Sequence, residues 1–137
     1  MGIMDRLRKK ETNVQAQSSV KMLSELEQIC GDDKETYMAL YHTMFLDPRK
    51  IHYTIKDAVD NAKKYEKERN MGRARIWYDI AGGIALYEGN PKKVAELFGE
   101  AEKLSGLEYP IVNRSEKAVA AAQEYYRKTL KEKVEET

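Results

Sequence analysis

Apolar residues recur along this chain at the three- and four-residue steps of a helix, and no stretch alternates with the two-residue period of a strand. The spacing predicts about six main helices. The first starts at Thr12, where Thr12 and Gln15 form a capping box, carries Ala16, Val20, Leu23, Leu26 and Cys30 inward, and stops at Gly31. The second starts at Asp32, with Glu35 three residues on, and buries Tyr37, Leu40, Tyr41, Met44 and Phe45. A long third helix follows Asp47-Pro48, with Ile51, Ile55, Ala58, Val59, Ala62 and Tyr65 on one face, and ends near Asn70-Met71-Gly72, where Gly suits a left-handed cap.

The fourth helix, Arg73 to Glu88, is apolar nearly all round. Ala74, Tyr78, Ala81 and Ala85 share one face, with Trp77, Ile80, Ile84 and Tyr87 beside them, the pattern of a buried central helix. Gly89-Asn90-Pro91 turns the chain into a fifth, with Val94, Leu97, Phe98, Ala101 and Leu104, closed by Gly106. After a loop over Leu107–Asn113, Asn113 caps a sixth helix with Ala118, Val119, Ala122, Tyr125, Tyr126 and Leu130 inward and a Glu124–Lys128 pair outside.

Asp47-Pro48 and Asn90-Pro91 are followed by apolar residues at one spacing: Ile51, Ile55 and Ala58 after the first, Val94, Phe98 and Ala101 after the second. Asp or Asn as cap and Pro at the first helical position end one helix and begin the next. A repeated helix–turn–helix unit follows, and with it an all-α fold of antiparallel helix pairs, in a short solenoid or a bundle. Tyr78-x2-Ala81-Gly82-x2-Ala85, then Val94-x3-Phe98-x2-Ala101, resembles a tetratricopeptide repeat, best over residues 74–106. Gly82, Phe98 and Ala101 match that family in identity; the spacing between the two turns is longer than its roughly 34 residues. A mid-helix glycine costs about 1 kcal/mol relative to alanine, so Gly82 is expected to admit a close partner helix, with Phe98 and Val94 in the notch. The resemblance implies a protein- or peptide-binding role. The first helix of each pair would then face a groove walled by residues 33–46 and 73–88, which nominates Tyr37, Tyr41, Met44, Ile76, Asp79, Gly83 and Tyr87.

Composition narrows the class. A chain of 137 residues and net charge +1 fits one folded domain, read as residues 12–137 behind a short basic amphipathic segment, 1–11, with Ile3, Met4 and Leu7 on one side. A single cysteine, Cys30, excludes an internal disulfide, and neither a membrane span nor a signal peptide is visible, so a cytoplasmic location is expected. Nine Tyr against two Phe supply core volume and surfaces suited to interfaces.

Charge is uneven: residues 49–75 hold nine Lys and Arg against four acids. Lys56, Lys63 and Lys67 fall on one helical stripe broken by Asp60, and with Arg73 they form the alternative reading, a nucleic-acid footprint. Catalytic motifs are lacking: there is no G-x-S-x-G, no P-loop and no G-x-G-x-x-G, and the chain is read as a non-enzyme with no cofactor. His42 and His52 are ten residues apart across a turn, a poor metal spacing, and no metal is expected. Asp79, on an otherwise apolar helix, is expected to pair with Arg75 one turn back. Self-association through the apolar face of the last helix is compatible with either binding role.

Overall fold

The computed structural model describes residues 21–44 and 47–135, with side chains described as far as residue 130 except at 49. The segment 1–11, the capping box at Thr12 and Gln15, Ala16, Val20 and Phe45 lie outside the described residues. Every regular element among the described residues is helical. They are α1 (21–30), α2 (Lys34–Thr43), α3 (Ile55–Lys67), α4 (Met71–Glu88), α5 (Pro91–Ser105) and α6 (Ser115–Glu135). Two 3-10 turns, Pro48–Lys50 and Pro110–Asn113, sit in the longer connections.

The helix ends follow from local chemistry. Gly31 closes α1 in the left-handed region, φ 57°. Asp33, one residue later than the sequence spacing places it, caps α2, because Thr36 gives it both a backbone N–H (3.1 Å) and a hydroxyl (2.6 Å). Asn90 accepts from the Lys93 N–H, Pro91 opens α5, and Gly89 and Gly106 take left-handed caps, all as the spacing predicts.

Three boundaries differ. The helix expected from Asp47-Pro48 is interrupted: a single 3-10 turn is followed by non-helical backbone over 51–54, and α3 begins only after Thr54. Thr54 and Asp57 form a reciprocal capping box, while Ile51-His52-Tyr53-Thr54 is rich in residues whose side chains crowd a helical turn. At the other end of α3 it is Arg69, φ 58°, that turns left-handed, and Gly72 lies inside α4, because Asn70 accepts from the Arg73 N–H and starts that helix earlier. Asn113 belongs to the second 3-10 turn, and the Arg114 carbonyl accepts the first bond of α6 from Ala118. Arg114 is held there by Glu35 (2.7 Å) and Asp33 (3.3 Å).

The packing centres on α4, which lies against both α3 and α5. Its inward positions are small: Ala74, Ala81, Gly82 and Ala85 are buried, and the neighbouring backbones come close. A Cβ built on Gly82 would lie 2.6 Å from the Phe98 ring, and Val94 is fully buried on α5. Tyr78, also inward, donates its hydroxyl to Glu66 on α3 (2.5 Å). Helix α6 packs on α5, α2 and α4, and the Gln123 amide donates to the carbonyls of Leu86 (2.7 Å) and Tyr87 (2.8 Å) at the end of α4. Helix α2 leans on α6 and the second 3-10 turn, with Thr36, Ala39, Leu40 and Thr43 inward. The two expected hairpins are therefore unlike: α4 and α5 form a close pair, while α2 and α3 are parted by the 44–54 connection and take different partners.

Candidate interaction surface

Helix α4 buries Tyr78, Ile84 and Leu86 together with its alanines, but two of its large apolar side chains, Ile76 and Tyr87, stay exposed. Ile76, Ile80, Gly83 and Tyr87 follow one another at steps of four, three and four, which places them on a single line along the helix. The line is roughly 16 Å long at 1.5 Å per residue. Ile76 is 56% and Tyr87 44% exposed, Ile80 is half-buried, and a Cβ built on Gly83 would meet nothing within 4 Å. The sequence pattern had made this helix buried all round; instead its two flanks and inner face are covered and this line is not.

Aromatic pairs border the line. Trp77 meets Tyr53 edge-on at 5.0 Å, and Tyr53 is itself exposed. The Arg73 guanidinium lies 5.7 Å from the centre of the Tyr65 ring. Tyr87 meets Tyr126 of α6 edge-on at 5.4 Å, and Tyr126 meets Tyr125 at 5.9 Å. Burial pushes the Tyr126 phenol well above its usual range, so it stays neutral and serves as an apolar buttress. Arg73 marks one end of the line and Glu88 the other; both are exposed, and neither has an ion-pair partner among the described residues.

The nominated groove residues separate into three groups. Ile76, Gly83 and Tyr87 lie on the α4 line. The Tyr37 and Tyr41 rings lie 6.2 Å apart, tilted by 51°, on α2, Tyr37 close enough to Glu27 and Cys30 of α1 for their charges to raise its phenol further, after burial. No hydrogen bond, ion pair or ring contact among the described residues joins this pair to the α4 line. Met44 is 3% exposed and belongs to the core: it caps the end of α2, its N–H donating to the Leu40 carbonyl, and both side chains are buried.

Asp79 points the other way from a groove. It accepts the Tyr109 hydroxyl at 3.0 Å and lies 3.7 Å from Arg75 Nε, which itself donates to the Tyr109 oxygen at 3.0 Å. Burial pushes the Asp79 carboxyl up, opposed by Tyr109 and Arg75. This cluster pins the loop before α6 onto α4, and the Tyr109 N–H donates to Glu102 at 2.8 Å to tie the same loop to α5.

Lys56, Lys63 and Lys67 are exposed on α3, with no acidic partner among the described residues. Arg73 does not join them. It sits over Tyr65, which lies about half a turn around α3 from the lysine stripe in helical projection. His42 and His52 are both exposed, and no group of three or more His, Cys, Asp or Glu among the described residues is placed to hold a metal ion. No described helix is long and apolar enough to cross a membrane.

Sequence reasoning missed exposed Tyr53, and Trp77 and Ile80 as half-buried residues that pack on the core and border the line. The available signal was the row of small residues at 74, 81, 82 and 85, which marks the side of α4 that its neighbours approach and leaves Ile76 and Tyr87 away from it. No protein-family model matches this chain, nor does any curated protein or solved structure, so the surface is read from its own geometry.

Proposed function

We propose that this chain is a non-catalytic helical scaffold whose outward α4 face binds a protein or peptide partner. The observation that carries the reading is the line of exposed Ile76 and Tyr87 with half-buried Ile80 and the open position at Gly83 between them, rimmed by Tyr53–Trp77 on one side and Tyr126 at one end. Aromatic and aliphatic side chains held in place by ring contacts are the kind of anchor that dominates protein interfaces, since little rotamer freedom is lost when they are covered. The line offers apolar area and an open notch at Gly83, with no nucleophile–base pair along it. We read α4–α5 as one tetratricopeptide-like unit, a view supported by Gly82 against Phe98; the separation of α2 from α3 gives no support to a second such unit in a solenoid. A cytoplasmic setting fits the lone thiol of Cys30.

Ile76→Glu tests the binding role, because the side chain is mostly exposed and the substitution leaves the core intact. Cross-linking in an extract of the native source is expected to yield a reproducible partner that Ile76→Glu and Tyr87→Ala each reduce severalfold. Capture equal to wild type in both variants would refute the reading.

The exposed Lys56, Lys63 and Lys67, with no acidic partner among the described residues, favour a second reading, binding of nucleic acid along α3. Contacts to phosphate release counterions, so affinity would fall steeply as salt rises. Absence of a gel shift at low salt would dispose of it.

A further inference from the structure

We propose that the partner seated on the α4 line is a second copy of this chain, packed antiparallel about a two-fold axis between Ala81 and Gly82. This rests on the reading that the line is a protein-binding face. The four-three-four spacing reads the same in both directions, so a reversed copy superposes the pattern on itself: Ile76 faces Tyr87 of the second copy, and Ile80 faces Gly83 of the second copy. At the centre, a bulky residue therefore meets a position with nothing within 4 Å of an added Cβ, twice, by symmetry. Knob and notch come from the same helix. A parallel pairing in register would instead set Ile80 on Ile80 and leave the two Gly83 notches facing an empty gap.

Charge selects the same orientation. Arg73 precedes the line and Glu88 follows it, both exposed and without an ion-pair partner in their own chain among the described residues. Reversal brings Arg73 beside Glu88 of the second copy, next to the carbonyl end of its α4, where a cation is favoured. The helix dipoles are opposed as well. A parallel pair would set Arg73 against Arg73 and Glu88 against Glu88.

The face is small. One helix line roughly 16 Å long, even with Tyr53 and Trp77 added, is smaller than the roughly 800 Å² per partner of a stable complex. The association is a weak, concentration-dependent equilibrium.

Sedimentation equilibrium of the full chain, from about 5 to 500 µM, is expected to show the average mass rising from monomer toward dimer. Gly83→Phe fills the notch, and its Cβ meets nothing within 4 Å in its own chain; it is expected to raise the dissociation constant at least about tenfold with an unchanged circular dichroism spectrum. Arg73→Glu and Glu88→Arg are each expected to weaken the dimer severalfold, and the double variant to restore it. A monomer at every concentration, a dimer indifferent to Gly83→Phe, or a double variant no better than the singles overturns the proposal. If the chain is monomeric but Ile76→Glu still abolishes cross-linking to another protein, the binding face stands and only the identity of its occupant falls.

Discussion

An added methyl group at Gly82 would run into the Phe98 ring at 2.6 Å, whereas at Gly83 it would meet open space. Two adjacent glycines in one helix therefore have opposite roles. Both lose roughly 1 kcal/mol of helix propensity relative to alanine. At Gly82 that cost is offset by the close approach of α5; at Gly83 nothing within the chain offsets it. Gly83→Ala is therefore expected to stabilise the fold by up to about 1 kcal/mol. Gly82→Ala is expected to destabilise it, since overpacking costs about 1–3 kcal/mol against that same propensity gain. Calorimetric melting of the two variants decides the point, and Gly82→Ala combined with Phe98→Leu should lose less than the sum of the two single changes. Gly82 was legible in the sequence because its spacing to Phe98 specifies a contact. The openness above Gly83 was not, because it depends on which flanks of α4 the other helices leave bare.

At the scale of elements, caps decided what spacing alone did not. Asn90-Pro91 and Asp47-Pro48 look alike in sequence, yet Asn90, with left-handed Gly89 before it, accepts from the Lys93 N–H and opens a long helix, whereas Pro48 opens a single 3-10 turn. After Pro48 the Thr54–Asp57 box lies downstream and captures the helix start, so an apparent repeat became two different connections. The Asp33 cap shows how much rests on one such residue. Bonds from the Thr36 hydroxyl and N–H, with Arg114 beside it, hold its carboxyl down from the usual 3.8 to about 2. A carboxyl whose folded value lies below its unfolded one stabilises the fold fully above about pH 4 and loses that contribution as pH falls from about 4 to 2. Acid titration of stability in Asp33→Asn is expected to be flatter than wild type across that window. Equal slopes would mean that the α2 cap and its tie to Arg114 do not hold in solution.

Across the whole molecule, burial is graded outward from α4. It packs on α3 and α5, and at its end the Gln123 amide of α6 donates to the Tyr87 carbonyl, one that the helix end leaves open, and to the Leu86 carbonyl, which also accepts from Gly89. Helix α3 has α4 as its principal neighbour, and only Ala58 and Ala62 on it are fully buried; its lysine-bearing face looks to solvent. The all-α class and the hub position of α4 were legible from periodicity, because a helix apolar on most sides must be covered on most sides. Which helices cover it was not, because α2 and α6 meet through residues far apart in sequence, such as Arg114 with Asp33 and Glu35. The same gradation sets where the fold opens first. Releasing α3 exposes one interface with few large side chains, whereas releasing α4 or α5 dismantles the core around Phe98, Leu86 and Val94. Native-state hydrogen exchange is expected to find the slowest amides in the interiors of α4 and α5, opening only with global unfolding, and those of α3 at least about tenfold faster. Protection of α3 equal to that of α4 would show a single cooperative unit, and would mean that the Tyr78–Glu66 bond and the two buried alanines bind α3 as firmly as the Gly82–Phe98 contact binds α5.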